Sequence, residues 1–207
     1  MIIQKYLPIS KRRSGKKLLG VKFLVAHDTG NDSSTAMGNV NYYIQSANEM
    51  SASAHTFIDD KQIIECVPLD EKAWHVLYNV TTDNQLFGAD ANDYAIGVEL
   101  CYSSKGKIDN IKAYNSYVGY LSDLCKRFNL DPKTRITGHF KLDPARKTDP
   151  MNAFRYIGKT WEQFIQDVNM EFNKKPTEDK KIETRIPVPI EKTLFQKLLE
   201  ILGRIKR

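Results

Sequence analysis

VKFLVAHDTGND, residues 21–32, is the stretch on which the architecture turns. Its first half, VKFLVA, is a short apolar run that reads as a buried strand. The run stops at His27. A histidine at the end of a buried strand is well placed to point into a cleft.

Working outward, Ser33 and Ser34 stand where a helix cap belongs, with Met37, Val40, Tyr43, Ile44 and Ala47 near one face of the helix that follows. In AHTFIDDKQIIECV, residues 54–67, two β-rich runs flank Asp59-Asp60-Lys61 and predict a hairpin. Residues 73–93 are polar and irregular, with Trp74 and His75 at their start. A loop that long inside a domain is functional or mobile. YAIGVELCY, residues 94–102, is the strongest strand pattern in the chain, and Glu99 interrupts it. Ile111, Tyr114, Val118, Leu121, Cys125 and Phe128 follow a helical period over residues 110–128, ended by Asn129 and Asp131-Pro132. RITGH then leads to His139, and the loop FKLDPARKTDP carries the chain past Asp149. A last core helix starts near Thr160, which forms a capping box with Gln163. Strands interleaved with helices predict an α/β fold.

After Phe172 the composition changes. Residues 173–189 are charged and proline-bearing and read as a linker, and residues 190–207 carry a basic amphipathic helix pattern. Residues 1–172 are left as the functional domain. The net charge of +6 is concentrated at the ends: residues 1–17 hold six Lys/Arg and no acid, and residues 173–207 hold ten bases against five acids. Basic ends suit an anionic wall polymer or membrane surface, and they equally serve solubility. No nucleic-acid motif accompanies the charge, so a nucleic-acid partner is not expected. The three cysteines have no metal-binding spacing and are expected as small buried or half-buried residues outside any disulfide. No long apolar region follows the basic N-terminus, and no stretch approaches the roughly 20 apolar residues of a membrane span. The expectation is a chain made in the cytoplasm without a signal peptide. The oligomeric state is left open.

Four residues stand out by position: His27, Glu99, His139 and Asp149. A carboxylate inside a buried strand is costly unless paired or used. Two histidines and an aspartate supply donors suited to Zn²⁺, and three protein ligands leave a fourth position for water. Glu99 then fits a general base, and Lys147, two residues before Asp149, fits a cation facing an oxyanion. Spacing alone does not establish this, because no HExxH helix is present. Composition alone leaves each histidine a surface or hydrogen-bonded core residue.

VKFLVAHDTGND, ASAHTFIDDKQIIECVPLDEKAWHV, AIGVELC and TGHFKLDPARKTDP, in this order, resemble the type 2 N-acetylmuramoyl-L-alanine amidase family over roughly residues 20–170. The resemblance implies a central mixed β-sheet flanked by helices and a zinc amidase acting on bacterial peptidoglycan. It implies His27, His139 and Asp149 as zinc ligands, and Glu99 and Lys147 as the catalytic pair. It places Trp74, His75, His55 and Asn31 on the substrate side, with His55 as a brace first. Many members carry a tyrosine near His55, whereas Ala54 and Thr56 flank it here. Some members bind peptidoglycan without cutting it, typically after losing a zinc ligand, and that is the alternative reading. The ligand set is complete here, which favours a phage or prophage endolysin that acts on the wall after release through a membrane pore.

Overall fold

In the computed structural model, residues 2–175 are described. The linker expected at 173–189 lies, beyond Lys175, outside the described residues, as does the amphipathic helix expected at 190–207.

The apolar run before His27 forms strand β2, Phe23–Asp28, buried along its whole length. Side chains alternate across it. Leu24 and Ala26 enter the main core, while Phe23 and Val25 pack with Val76, Ala89, Ala91, Ala95 and Leu142 on the other face. Burial on both faces is what a near-continuous apolar strand needs. Strand β5, Ala95–Leu100, runs parallel to β2 on one side, and β6, Ile136–Gly138, runs parallel on the other. Strand β3, Thr56–Ile58, pairs parallel with β5, and β4, Ile63–Glu65, returns antiparallel to β3. A short edge strand, β1 (Ile2–Gln4), runs parallel to β4. The sheet is therefore mixed, in the order β1-β4-β3-β5-β2-β6.

The predicted hairpin forms because Asp59 folds the chain on itself. Its Oδ1 accepts from the backbone N–H groups of Lys61 (2.8 Å) and Gln62 (2.7 Å). Its Oδ2 accepts from Ala36 N–H at 2.8 Å, tying the turn to the start of helix α1, Ala36–Gln45. Thr35 caps α1 in place of the expected Ser33 or Ser34, and Ser33 instead sits at positive φ. The segment 73–93 is more regular than its composition suggests. It holds helices α2, Asp83–Phe87, and α3, Ala91–Tyr94. The buried Asp83 carboxylate accepts from Ala91 N–H at 2.7 Å and joins the two.

Helix α4, Asn110–Phe128, matches the predicted period, with Asp109 as N-cap and Asn129 in the left-handed region as C-cap. Its buried Tyr117 hydroxyl donates between the carbonyls of His27 and Val98, each 3.1 Å away. The helix thus clamps β2 to β5 beside His27. Short helices α5, Pro132–Arg135, α6, His139–Leu142, and α7, Met151–Phe154, follow. Helix α8, Trp161–Phe172, packs on α4 and has the full Thr160/Gln163 capping box. All three cysteines are buried and free.

The basic stretch 1–17 is partly absorbed by the fold. Arg12 is 1% exposed. It donates to the Ser46 carbonyl at 3.0 Å and the Ala52 carbonyl at 2.6 Å, and lies over the Tyr43 ring. Arg13 grips Glu71 with two bonds of 2.8 and 2.9 Å. An arginine fork matches carbonyl and carboxylate acceptors in this way, so these two residues act as a strap and not as free surface charge. Among the described residues no helix is long and apolar enough to cross a membrane.

Candidate metal centre

Strands β2, β5 and β6 run parallel and end at the same rim of the sheet, the edge where open α/β sheets collect their chemistry. Register does the rest. His27 on β2 pairs with Glu99 on β5. Gly138, the last residue of β6, pairs with Ala26, so His139 emerges next to His27. Asp149 lies ten residues on, and the loop between closes through Phe140 N–H donating to the Asp149 carbonyl at 3.1 Å.

Asp149 Oδ2 lies 2.8 Å from His27 Nδ1 and 3.1 Å from His139 Nδ1. All three side chains are buried, and one donor atom from each lies within 4.8 Å of the others. Burial opposes ionisation of Asp149, but hydrogen bonds from the His139 and His27 imidazoles outweigh it and hold the carboxyl far below its usual range. Burial lowers His27 to about 4, against the pull of its bond to Asp149, so it stays a neutral donor at ordinary pH. Neutral imidazoles and a carboxylate are what zinc takes, and three such ligands leave a fourth position open. Glu99 Oε2, on the wall beside the triad, is buried without a protein hydrogen-bond partner among the described residues. Such an orphaned atom calls for a ligand or an ion. The residues present therefore fit a zinc ion.

Around this triad is a cleft of about 200 Å³ lined by His27, Asp28, Thr29, Gly30, His75, Glu99, His139, Lys147, Asp149 and Asn152. Burial raises Glu99 well above the usual carboxylate value, helped by the negative charges of Asp149 and Asp28 and opposed by the Lys147 ammonium. Two wider grooves beside α8, of about 500 and 540 Å³, bring together no metal-ligating cluster among the described residues.

The structure brings together His27, His139, Asp149, Glu99, Lys147 and His75. It places three of the proposed substrate-side residues elsewhere. His55 is fully buried: its Nδ1 accepts from Gly97 N–H at 3.0 Å, and its Nε2 donates to the Glu71 carbonyl at 2.9 Å. With both nitrogens engaged it is a brace, the role put first for it from the sequence. Trp74 is half-buried against Tyr78, with ring centroids 6.0 Å apart, outside the cleft wall. Asn31 is exposed on the loop beyond Gly30. Sequence reasoning missed Asp28 and Asn152. Asp28 Oδ1 accepts from Gly30 N–H at 3.0 Å and from Asn152 Nδ2 at 3.2 Å, while its Oδ2 accepts from Ala153 N–H at 3.1 Å. This carboxylate joins the loop after His27 to α7. Its local signature was visible, since aspartate two residues before glycine is an Asx-turn pattern.

Comparison with known proteins agrees with this geometry. The family profile described as N-acetylmuramoyl-L-alanine amidase matches residues 17–152. The N-acetylmuramoyl-L-alanine amidase BlyA of Bacillus subtilis is 32% identical over 146 residues, 66% of this chain and 39% of that protein. The N-acetylmuramoyl-L-alanine amidase CwlL of Bacillus licheniformis is 28% identical over 152 residues, 70% of this chain and 42% of that protein. The chain thus spans well under half the length of these two relatives. Among solved structures, PlyL superimposes with a TM-score of 0.63 at 29% identity, covering 81% of this chain and 96% of that one. The PlyG catalytic domain superimposes with a TM-score of 0.64 at 26% identity, covering 86% and 98%. A family match across most of the domain, a shared fold and an intact His/His/Asp centre at the strand ends lead to one conclusion: the chain belongs to the N-acetylmuramoyl-L-alanine amidase family.

Proposed function

We propose that this chain is a zinc-dependent N-acetylmuramoyl-L-alanine amidase. It hydrolyses the amide between the lactyl group of muramic acid and the first stem residue of bacterial peptidoglycan. The observation that carries this reading is the convergence of His27, His139 and Asp149 with Glu99 and Lys147 on one cleft. When bound, zinc supplies a Lewis acid that lowers the pKa of water toward about 7.

The chain's own groups do the rest. Glu99, with its raised pKa and an Oε2 unpartnered among the described residues, takes a proton from the attacking water. It returns that proton to the leaving amine as the amide C–N bond breaks and a C–O bond replaces it. The Lys147 ammonium faces the negative charge that grows on the carbonyl oxygen. Asp28 and Tyr117 hold the His27 strand and loop in place, so these groups need no rearrangement at the moment of reaction.

As to setting, we place the protein as a phage or prophage endolysin that reaches the wall from the cytoplasm through a membrane pore. Its basic tail, residues 190–207, is assigned to anionic wall polymer or a membrane surface.

The test is incubation of purified protein with peptidoglycan, with and without a zinc chelator. New free alanine α-amino groups, lost on chelation and unaccompanied by new reducing ends, are the expected result. Zinc-loaded, folded protein that releases no alanine from walls of several stem types would favour a binding-only role.

A further inference from the structure

His75 is the one cleft histidine outside the ligand triad, and three separate devices immobilise it. Asn92 Oδ1 accepts from the backbone N–H groups of His75 (2.9 Å) and Val76 (3.1 Å), and Asn92 Nδ2 donates to the Val76 carbonyl at 2.8 Å. The His75 side chain lies close against Gly97 of β5, where an added Cβ would stand 2.6 Å from the His75 Cγ. The His55 ring packs edge-to-face with it, centroids 5.8 Å apart. So much constraint on one ring puts its Nδ1 3.1 Å from His27 Nε2.

The direction of that hydrogen bond follows from the metal reading. His27 faces Asp149 through Nδ1. A lone pair on Nδ1 directed at a cation leaves the imidazole proton on Nε2, so His27 must donate and His75 Nδ1 must accept. His75 then carries its own proton on Nε2, the atom that is buried without a protein partner among the described residues. Metal-bound histidines usually donate their second N–H to a carboxylate, carbonyl or water, which fixes both the tautomer and the ring orientation. Here a second neutral imidazole takes that place.

We propose that His75 is a positioning residue for zinc: it fixes the tautomer and orientation of His27 by accepting its Nε2–H, and Gly97 is glycine so that His75 can sit there. This rests on the zinc reading above.

The experiment is zinc affinity by competition with a chelating probe, in the full chain, for wild type, His75→Leu, His75→Asn and Gly97→Ala. His75→Leu removes the acceptor and is expected to weaken zinc binding roughly 10- to 100-fold. Gly97→Ala displaces the ring and is expected to weaken it in the same direction. His75→Asn carries an amide oxygen near the place of Nδ1 and is expected to bind close to wild type. Long-range proton–nitrogen NMR of zinc-loaded protein should show His75 protonated on Nε2 only. Unchanged affinity in His75→Leu, equal loss in the Leu and Asn variants, or a His75 proton on Nδ1 each overturns the proposal. Wild type that binds no zinc overturns the metal reading itself, a separate and distinguishable failure.

Discussion

A carboxyl group such as Glu99 has two ways to exist inside a strand: paired with a cation or held near neutrality by burial. Glu99 takes the second, with Lys147 as a partial counterweight. Two predictions belong here. Glu99→Gln keeps the shape and loses the proton acceptor, so hydrolysis should fall by on the order of 10²–10⁴ while zinc content, measured by metal analysis, stays at wild-type level. Retained turnover would remove Glu99 from the mechanism. Lys147→Gln removes the charge that lowers the Glu99 pKa. The Glu99 pKa must then rise, and the acid limb of the kcat/KM profile should move to higher pH. Turnover should also drop by about 10²-fold with the oxyanion's cation gone. An acid limb that stays in place would show that Lys147 and Glu99 do not share a field.

At the scale of elements, the site depends on segments that tie β2 and its neighbours from outside the sheet. Helix α4 does so through Tyr117, while the N-terminal strap ties itself through arginines to the end of α1 and to Glu71. Arg12 has no acidic partner among the described residues, and its charge is met by the carbonyl of Ser46 at the C-cap of α1, by Ala52 and by the Tyr43 face. A helix C-terminus favours a cation. Arg12→Met keeps the apolar stem but leaves those buried carbonyls unpaired, so unfolding in urea should show a loss of ~2 kcal/mol. An unchanged midpoint would mean that relief from burying the guanidinium cancels its hydrogen bonds. The 73–93 segment teaches a related lesson. Its Asp83, Asp90 and Asn92 look like loop composition, yet each makes backbone hydrogen bonds that build two short helices and seat His75.

For the whole molecule, acid stability is set partly by histidines that the fold keeps neutral. Burial lowers His55 from the ordinary 6.5 to about 4, outweighing its bonds to the Glu71 and Gly97 backbone. The unfolded chain then binds a proton more readily than the fold does. The His55 contribution is present above pH 6.5 and is lost as pH falls toward about 4, up to ~3 kcal/mol. Denaturation between pH 7 and 4.5 should therefore show a smaller acid loss in His55→Gln than in wild type. Equal losses would place the acid sensitivity elsewhere. A second prediction at this scale concerns the basic tail. Removing residues 176–207 should leave cleavage of soluble muropeptides unchanged and slow the lysis of whole walls in a turbidity assay. Equal lysis by the shortened chain would remove the targeting role.

Much of this was legible from residues alone, because local physics repeats along the chain. The run before His27, the period of α4, the Asp59 hairpin and the Thr160 capping box each declare an element within a few residues. The order of motifs around His27, Glu99, His139 and Asp149 declared the family. Which side chains meet is a different matter. The edge strand Ile2–Gln4 gains its meaning only from pairing with β4, and Arg12 is buried only because α1 ends above it. Trp74 and Asn31 are near the site in sequence and outside its cleft in space, while Asp28 and Asn152 lie on its wall. The contact between His27 and His75 joins positions 48 residues apart, and the bond from His27 to Asp149 joins positions 122 apart. Residue identity determines what each group can do as donor, acceptor, ligand or apolar filler. Strand register and parallel closure of the sheet decide which of them share a cleft, since no local pattern encodes a distance across the chain.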